Sequence, residues 1–182
     1  MGAELPRVTD ILRDTGLGPD LSRIPADVLE SARDRGQLVH AAIEALVYGY
    51  LDEAEVAPIA APYLDAYRKF VVESGYEAKY AEVEVVHSSW GYRGHPDGVG
   101  FLMGRRILID FKSGGAEGVE YQLAAYRAAF NAQHPTEPVE AVAALMLRRD
   151  SSYRFIEHAW ADAEPVWLAA VTVFKARQRR AA

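Results

Sequence analysis

Apolar residues at Val39, Ala42, Ile43, Leu46 and Tyr50 recur at i, i+3, i+4, i+7 and i+11, the spacing of a buried helical stripe, and predict a helix over about residues 25–51. A second helix is predicted over about 58–74, with Leu64, Tyr67 and Val71 inward and Gly75 as its stop signal. The period then changes. Over 80–86, Ala81, Val83 and Val85 alternate with Glu82, Glu84 and Val86, the period of a strand. A second strand is expected over 92–102, loosened by Gly94, Gly98 and Gly100, and a third over 106–112; three successive strands imply an antiparallel meander. Helical spacing returns at Val119, Gln122, Leu123, Tyr126 and Phe130. AVAALMLRR then reads as a buried strand, YRFIEHAW as another, and a last helix is expected over about 164–180. The stretch containing VTDILRDTG is read as a short opening segment. This order predicts an α/β chain of the mixed or α+β kind, with one central mixed sheet flanked by helices.

Composition narrows the function. At 182 residues, half of them apolar, the chain has the length of one ordinary domain and enough apolar surface for a core, so 1–182 is expected to form a single domain. No apolar run approaches the roughly 20 residues that span a bilayer, and MGAELPRVTD lacks a signal-peptide pattern; a soluble, cytoplasmic protein is expected. There is no cysteine, which excludes disulfides, a thiolate zinc site and a cysteine-held iron-sulfur cluster. Any metal must be held by oxygen and imidazole. With 20 basic and 26 acidic residues the net charge is −6, which argues against coating nucleic acid by bulk charge. An enzyme acting on nucleic acid needs only a local basic track, and basic residues cluster at Arg105-Arg106, at Arg148-Arg149, and most densely at Lys175, Arg177, Arg179 and Arg180.

Candidate chemistry sits in the strands. Asp110 and Lys112 are two apart, so both side chains leave the third strand on one face and can meet at one point. In isolation, a D-x-K is as readily a surface ion pair on an edge strand. Here Ile107, Leu108 and Ile109 precede the aspartate, and charged groups at the end of a buried strand need a reason. Asp97 lies in GHPDGVG, whose small residues let a ligand or another backbone come close. Two carboxylates beside a lysine form a cradle for a hard divalent cation and a phosphate.

The segment GYRGHPDGVG, followed by ILIDFKSG and then YQLAAY, resembles the core motif of the PD-(D/E)XK nuclease superfamily, in particular its RecB-like exonuclease branch, including small phage-type members. The resemblance covers most of the chain and implies a restriction-endonuclease-like core. It implies that Asp97 and Asp110 bind metal, that Lys112 is catalytic, and that Gln122 and Tyr126, one helical turn apart, face the site. The branch also places a histidine on an early helix after an arginine-glycine pair, as in Arg35-Gly36-Gln37-Leu38-Val39-His40, which makes His40 a metal ligand. Glu44, one turn on, is a candidate partner for it or a solvated glutamate. Glu82 and Glu84 share one strand face in this reading, and Glu84 is preferred because the family pattern puts a glutamate shortly before the glycine-tyrosine pair, here Gly91-Tyr92.

The activity implied is phosphodiester hydrolysis on DNA, leaving 5′-phosphate and 3′-hydroxyl ends. One or two Mg²⁺ or Mn²⁺ ions would be held by His40, Asp97, Asp110 and the backbone carbonyl of Phe111. Unlike relatives that carry an iron-sulfur cluster, this chain has no cysteine, and it has no GxxxxGK[ST] loop with which to drive unwinding. The expected setting is a bacterial or phage-infected cell, with recombination or replication proteins as partners. The competing readings are a nuclease fold that binds nucleic acid without cutting it, and a protein-interaction domain of a phage or recombination complex.

Overall fold

The computed structural model describes residues 4–181. Its helices are α1 (Val8–Thr15), α2 (Ala26–Val47), α3 (Ala61–Ser74), α4 (Val119–Gln133) and α5 (Trp160–Ala181). Its strands are β1 (Glu77–Ala81), β2 (Val85–His87), β3 (Tyr92–Gly94), β4 (Gly98–Leu102), β5 (Arg105–Lys112), β6 (Ala141–Leu147) and β7 (Tyr153–His158). Five strands make a central mixed sheet in the order β1-β4-β5-β6-β7, in which only β5 and β6 run parallel. The crossover between those two is α4, the long connection that parallel neighbours require.

Strand parity divides the core. Leu108, Val142 and Ala144 face one side, where they pack with Ile11, Leu123, Phe130 and Trp167 of α1, α4 and α5. Ile107, Ile109, Ala143 and Leu145 face the other, against Val39, Ile43, Leu64 and Phe70 of α2 and α3. Both faces of β5 and β6 are covered, which is why these two strands are nearly continuous apolar runs rather than alternating ones.

Several expectations change in detail. VTDILRDT forms the helix α1, with Val8, Ile11 and Leu12 buried on one stripe and Gly16 closing it at φ 75°. Helix α2 ends at Val47, so Tyr50, expected on its buried stripe, lies beyond it and is exposed. Helix α5 begins at Trp160, earlier than the expected residue 164. The two longer strands expected over 80–86 and 92–102 are each broken. Their inner halves, β2 and β3, pair with each other as a separate antiparallel ribbon, and their outer halves, β1 and β4, join the central sheet. The meander is therefore interrupted, and the interruption builds the site.

Candidate metal and nucleic-acid site

The break between β3 and β4 falls at His95-Pro96-Asp97. The ladder joining β4 to β5 ends at the Gly98–Ile109 pair, and one step further the Asp97 side chain takes over, its Oδ2 accepting from Phe111 N at 2.5 Å. On the opposite edge β1 ends at Ala81, paired with Gly98, and the Asp97 carbonyl accepts from Glu82 N. Asp97 is thus fixed from two sides at the point where the sheet opens. Glu82 turns into the left-handed region at φ 50°, which ends the alternation and swings its side chain toward Asp97.

Helix α2 closes the arrangement from the other face. Its C-cap residue Tyr48 grips the end of β1, its hydroxyl donating to Ala81 O at 3.0 Å and accepting from Ala81 N at 3.2 Å. Two turns earlier, His40 Nδ1 stands 2.9 Å from Glu82 Oε1 and 3.5 Å from Asp97 Oδ1, while its Nε2 stands 3.1 Å from the Phe111 carbonyl. His40, Glu82 and Asp97 can offer three ligand atoms within 4.8 Å of one another.

Asp110 and Lys112 leave β5 on the side of Leu108, toward α4. Lys112 Nζ lies 2.8 Å from Asp110 Oδ2 and donates to Gln122 Oε1 at 3.2 Å; Gln122 Nε2 in turn donates to the Tyr126 hydroxyl at 3.1 Å. Tyr126 also packs in the core with Val119 and Phe130, so it carries both roles. Its ring lies against β3 because residue 94 is glycine: a Cβ there would meet Tyr126 Cε1 at 2.3 Å.

Asp97 and Asp110 are the buried charged residues among those described, 6% and 1% exposed. Lys112 Nζ forms a close ion pair with Asp110 Oδ2, and both Asp110 oxygens are otherwise buried without a hydrogen-bond partner. Burying a carboxylate so incompletely satisfied is costly, and a bound cation is the usual compensation. Burial, and then the neighbouring Asp110 charge, push the Asp97 carboxyl up to about 8 despite His40 and Lys112. Burial opposes a charge on His40, but Asp97, Glu82 and Asp110 outweigh it and raise the imidazole to about 9. Burial likewise opposes the charge on Lys112, which Asp110 and Asp97 nevertheless hold above the ordinary lysine range. Burial, reinforced by Asp110 and Asp97, raises the Tyr126 phenol, which therefore stays neutral. The site's carboxylates thus favour the charged forms of the two cations packed against them, His40 and Lys112. Hard oxygens with one imidazole and no thiolate fit Mg²⁺ or Mn²⁺ in donor chemistry, and a proton on His40 competes with such an ion for the same oxygens.

The structure brings together His40, Asp97, Asp110, the Phe111 carbonyl, Lys112, Gln122 and Tyr126, as the sequence reading grouped them. Glu84 is a correction. It lies outside the cluster, exposed, 3.4 Å from Arg93 Nη1, while Glu82 takes the place expected of it. The two were expected to share a face, but the left-handed turn at Glu82 removes the common parity. Glu82, and not Glu44, also accepts from His40 Nδ1. The expected C-terminal basic run is partly committed to the protein itself: Lys175 Nζ donates to Trp90 O, and Arg177 pairs with Asp14. Arg35, noted in the sequence only as part of a motif, donates to Ser113 O at 3.2 Å and so ties α2 to the residue after Lys112.

Among the described residues no helix is long and apolar enough to cross a membrane. No family model matches the chain, and no curated protein matches it. Among solved structures, the chain is similar to a protein from Eubacterium rectale that carries an exonuclease assignment, with a TM-score of 0.49 and 12% identity over 76% of this chain and 68% of that one. It is also similar to an alkaline exonuclease from Laribacter hongkongensis, with a TM-score of 0.41 and 14% identity over 80% of this chain and 84% of that one.

Proposed function

We propose that this chain is a metal-dependent deoxyribonuclease of the PD-(D/E)XK type, RecB-like branch, hydrolysing phosphodiester bonds as an exonuclease to leave 5′-phosphate and 3′-hydroxyl ends. The observation that carries the reading is the convergence, at the open end of β5, of two buried carboxylates, one of them without hydrogen-bond partners, with Lys112 and His40. A structural ion pair needs one carboxylate for one ammonium; here a second buried carboxylate, Asp97, stands beside the Asp110–Lys112 pair.

His40, Glu82, Asp97, Asp110 and the Phe111 carbonyl would hold Mg²⁺ or Mn²⁺. The bound ion would supply charge to polarise the scissile phosphate and to lower the pKa of an attacking water. Lys112, whose Nζ lies 2.8 Å from Asp110 Oδ2, would act as a cation and donor that steadies the developing negative charge or the water. Gln122 holds that ammonium in place through its Oε1, and the neutral Tyr126 holds Gln122. The water oxygen forms the new bond to phosphorus, the bond from phosphorus to the 3′ oxygen breaks, and a proton goes to that oxygen. Phe111 and Tyr67, in edge-to-face contact behind His40, keep the rear of the site dry. A cytoplasmic setting beside recombination or replication proteins belongs to the same reading.

The test is incubation with end-labelled single- and double-stranded DNA, linear and circular, in Mg²⁺, Mn²⁺ or EDTA. Mononucleotide release from linear but not circular DNA, abolished by EDTA, is expected. Binding without cleavage in any ion would instead identify an inactive nuclease-type fold.

A further inference from the structure

Many basic side chains of this acidic protein are answered by a carboxylate. Arg68 pairs with Glu53 and Asp65, Arg93 with Glu84, Arg105 with Glu157, Arg106 with Glu137, and Arg127 with Glu164. Among the basic residues without an ion pair, four arginines gather at one end of the sheet. Among the described residues, Arg35, Arg148, Arg149 and Arg154 make no ion pair, although they line two cavities of about 380 and 400 Å³ that share Tyr63 and Arg149.

The cavities adjoin the site through the chain itself. Ser113 and Gly114, which follow Lys112, line the first of them. Arg35, in the second, donates to Ser113 O and lies 5.8 Å over the Tyr63 ring, and its Nε is buried with no hydrogen-bond partner. Nearby carboxylates are engaged elsewhere: Asp150 accepts from the amide and hydroxyl of Ser152, Glu73 from the Tyr153 hydroxyl, and Glu157 from Arg105. Asp150 attracts Arg148 without forming an ion pair, and the remaining charge of the gathered guanidinium groups costs stability through mutual repulsion, which an anion offsets. Their planar forks match phosphate oxygens two at a time.

We infer that Arg35, Arg148, Arg149 and Arg154 form the track that holds substrate-strand phosphates next to the scissile one. The inference rests on the nuclease reading and gives its substrate a path, running from the arginine groove over the end of β5 to Asp97 and Asp110. It also resolves how a chain of net charge −6 engages a polyanion: attraction is local, and it lies beside the cut.

The test compares the wild type with R148Q/R149Q, both exposed residues that carry no core packing, and with R105Q/R106Q, a basic pair already neutralised by glutamates. Binding of fluorescein-labelled single-stranded and duplex oligonucleotides is followed by anisotropy in EDTA across a salt series, and cleavage is followed separately in Mn²⁺. Each lost phosphate contact removes about 0.7 from the slope of log K against log salt for a single strand and about 0.9 for a duplex. R148Q/R149Q should therefore flatten the slope by about 1.4 or 1.8, bind about ten-fold more weakly, and raise KM with kcat preserved. R105Q/R106Q should do none of these. An unchanged slope and affinity in R148Q/R149Q, or a wild type that binds neither oligonucleotide, overturns the track. The two readings separate cleanly: a wild type that cleaves while R148Q/R149Q binds normally sinks the track alone, and a salt slope lost in R148Q/R149Q without cleavage by the wild type in any ion sinks the nuclease alone.

Discussion

The two ends of β5 carry charge on very different terms. At its start, Arg105 forms a two-pronged pair with Glu157 at 3.1 Å, and Arg106 lies against Glu137 while its backbone amide donates to Glu140 Oε2. Every charge there has an opposite within reach, and water covers the rest. At its finish, Asp110 is buried with Lys112 as its one ion-pair partner, beside a second buried carboxylate. A strand end built for stability alone would look like the first; the second leaves an electrostatic demand for something outside the chain to meet.

The sharpest way to test that contrast is by cleavage. D110A and K112A should each reduce the rate about 1,000-fold or more, the scale of losing an electrostatic element of a hydrolytic site, while R105A leaves it unchanged. Calorimetry should separate the two losses: D110A weakens Mn²⁺ binding, whereas K112A preserves or strengthens it, because a positive neighbour is gone. Rates near wild type in either purified variant would make the finish of β5 as inert as its start.

A smaller effect concerns the glutamates. E82Q should weaken Mn²⁺ binding about ten-fold, the lower end of the range for groups that orient or complete a metal site, and E84Q should leave it unaltered. The reverse order would restore the sequence-based choice. The ion should also act on the whole fold. At about 100 times its dissociation constant, Mn²⁺ should add about 2.7 kcal/mol of stability and raise the melting temperature by about 5–10 °C. R105A should keep that shift and D97A should lose it, as followed by circular dichroism during heating.

What the sequence disclosed and what it withheld have physical causes. Helices α2, α3 and α4 were legible because each buries an apolar stripe, and α3 also stops at a recognisable signal, Gly75, whereas α2 ends at Tyr48 with none. The pairing of Asp110 with Lys112 followed from strand parity, which a regular buried strand preserves. The choice between Glu82 and Glu84 failed for the same reason in reverse. Parity holds only while the strand continues, and no residue between Ala81 and Val85 is a glycine or proline that would announce the break. The arginine groove was hidden for another reason. Arg35 and Arg149 meet through Tyr63, across helices and strands that no local pattern connects, and the freedom of Arg148 and Arg149 becomes visible only once the partners of the other arginines are known.

His40 reaches across 42 residues to Glu82 and 71 to Phe111, and Arg35 across 78 to Ser113. Each closure costs chain entropy that early local helix formation does not repay, so these contacts belong to the late, slow part of folding. The consequence concerns timing during synthesis. A ribosome that has released α2 has made none of the strands that answer it, and a chain stopped before Lys112 lacks the lysine and the loop that Arg35 grips. On the proposed function, hydrolytic capacity would then arrive only with the finished fold.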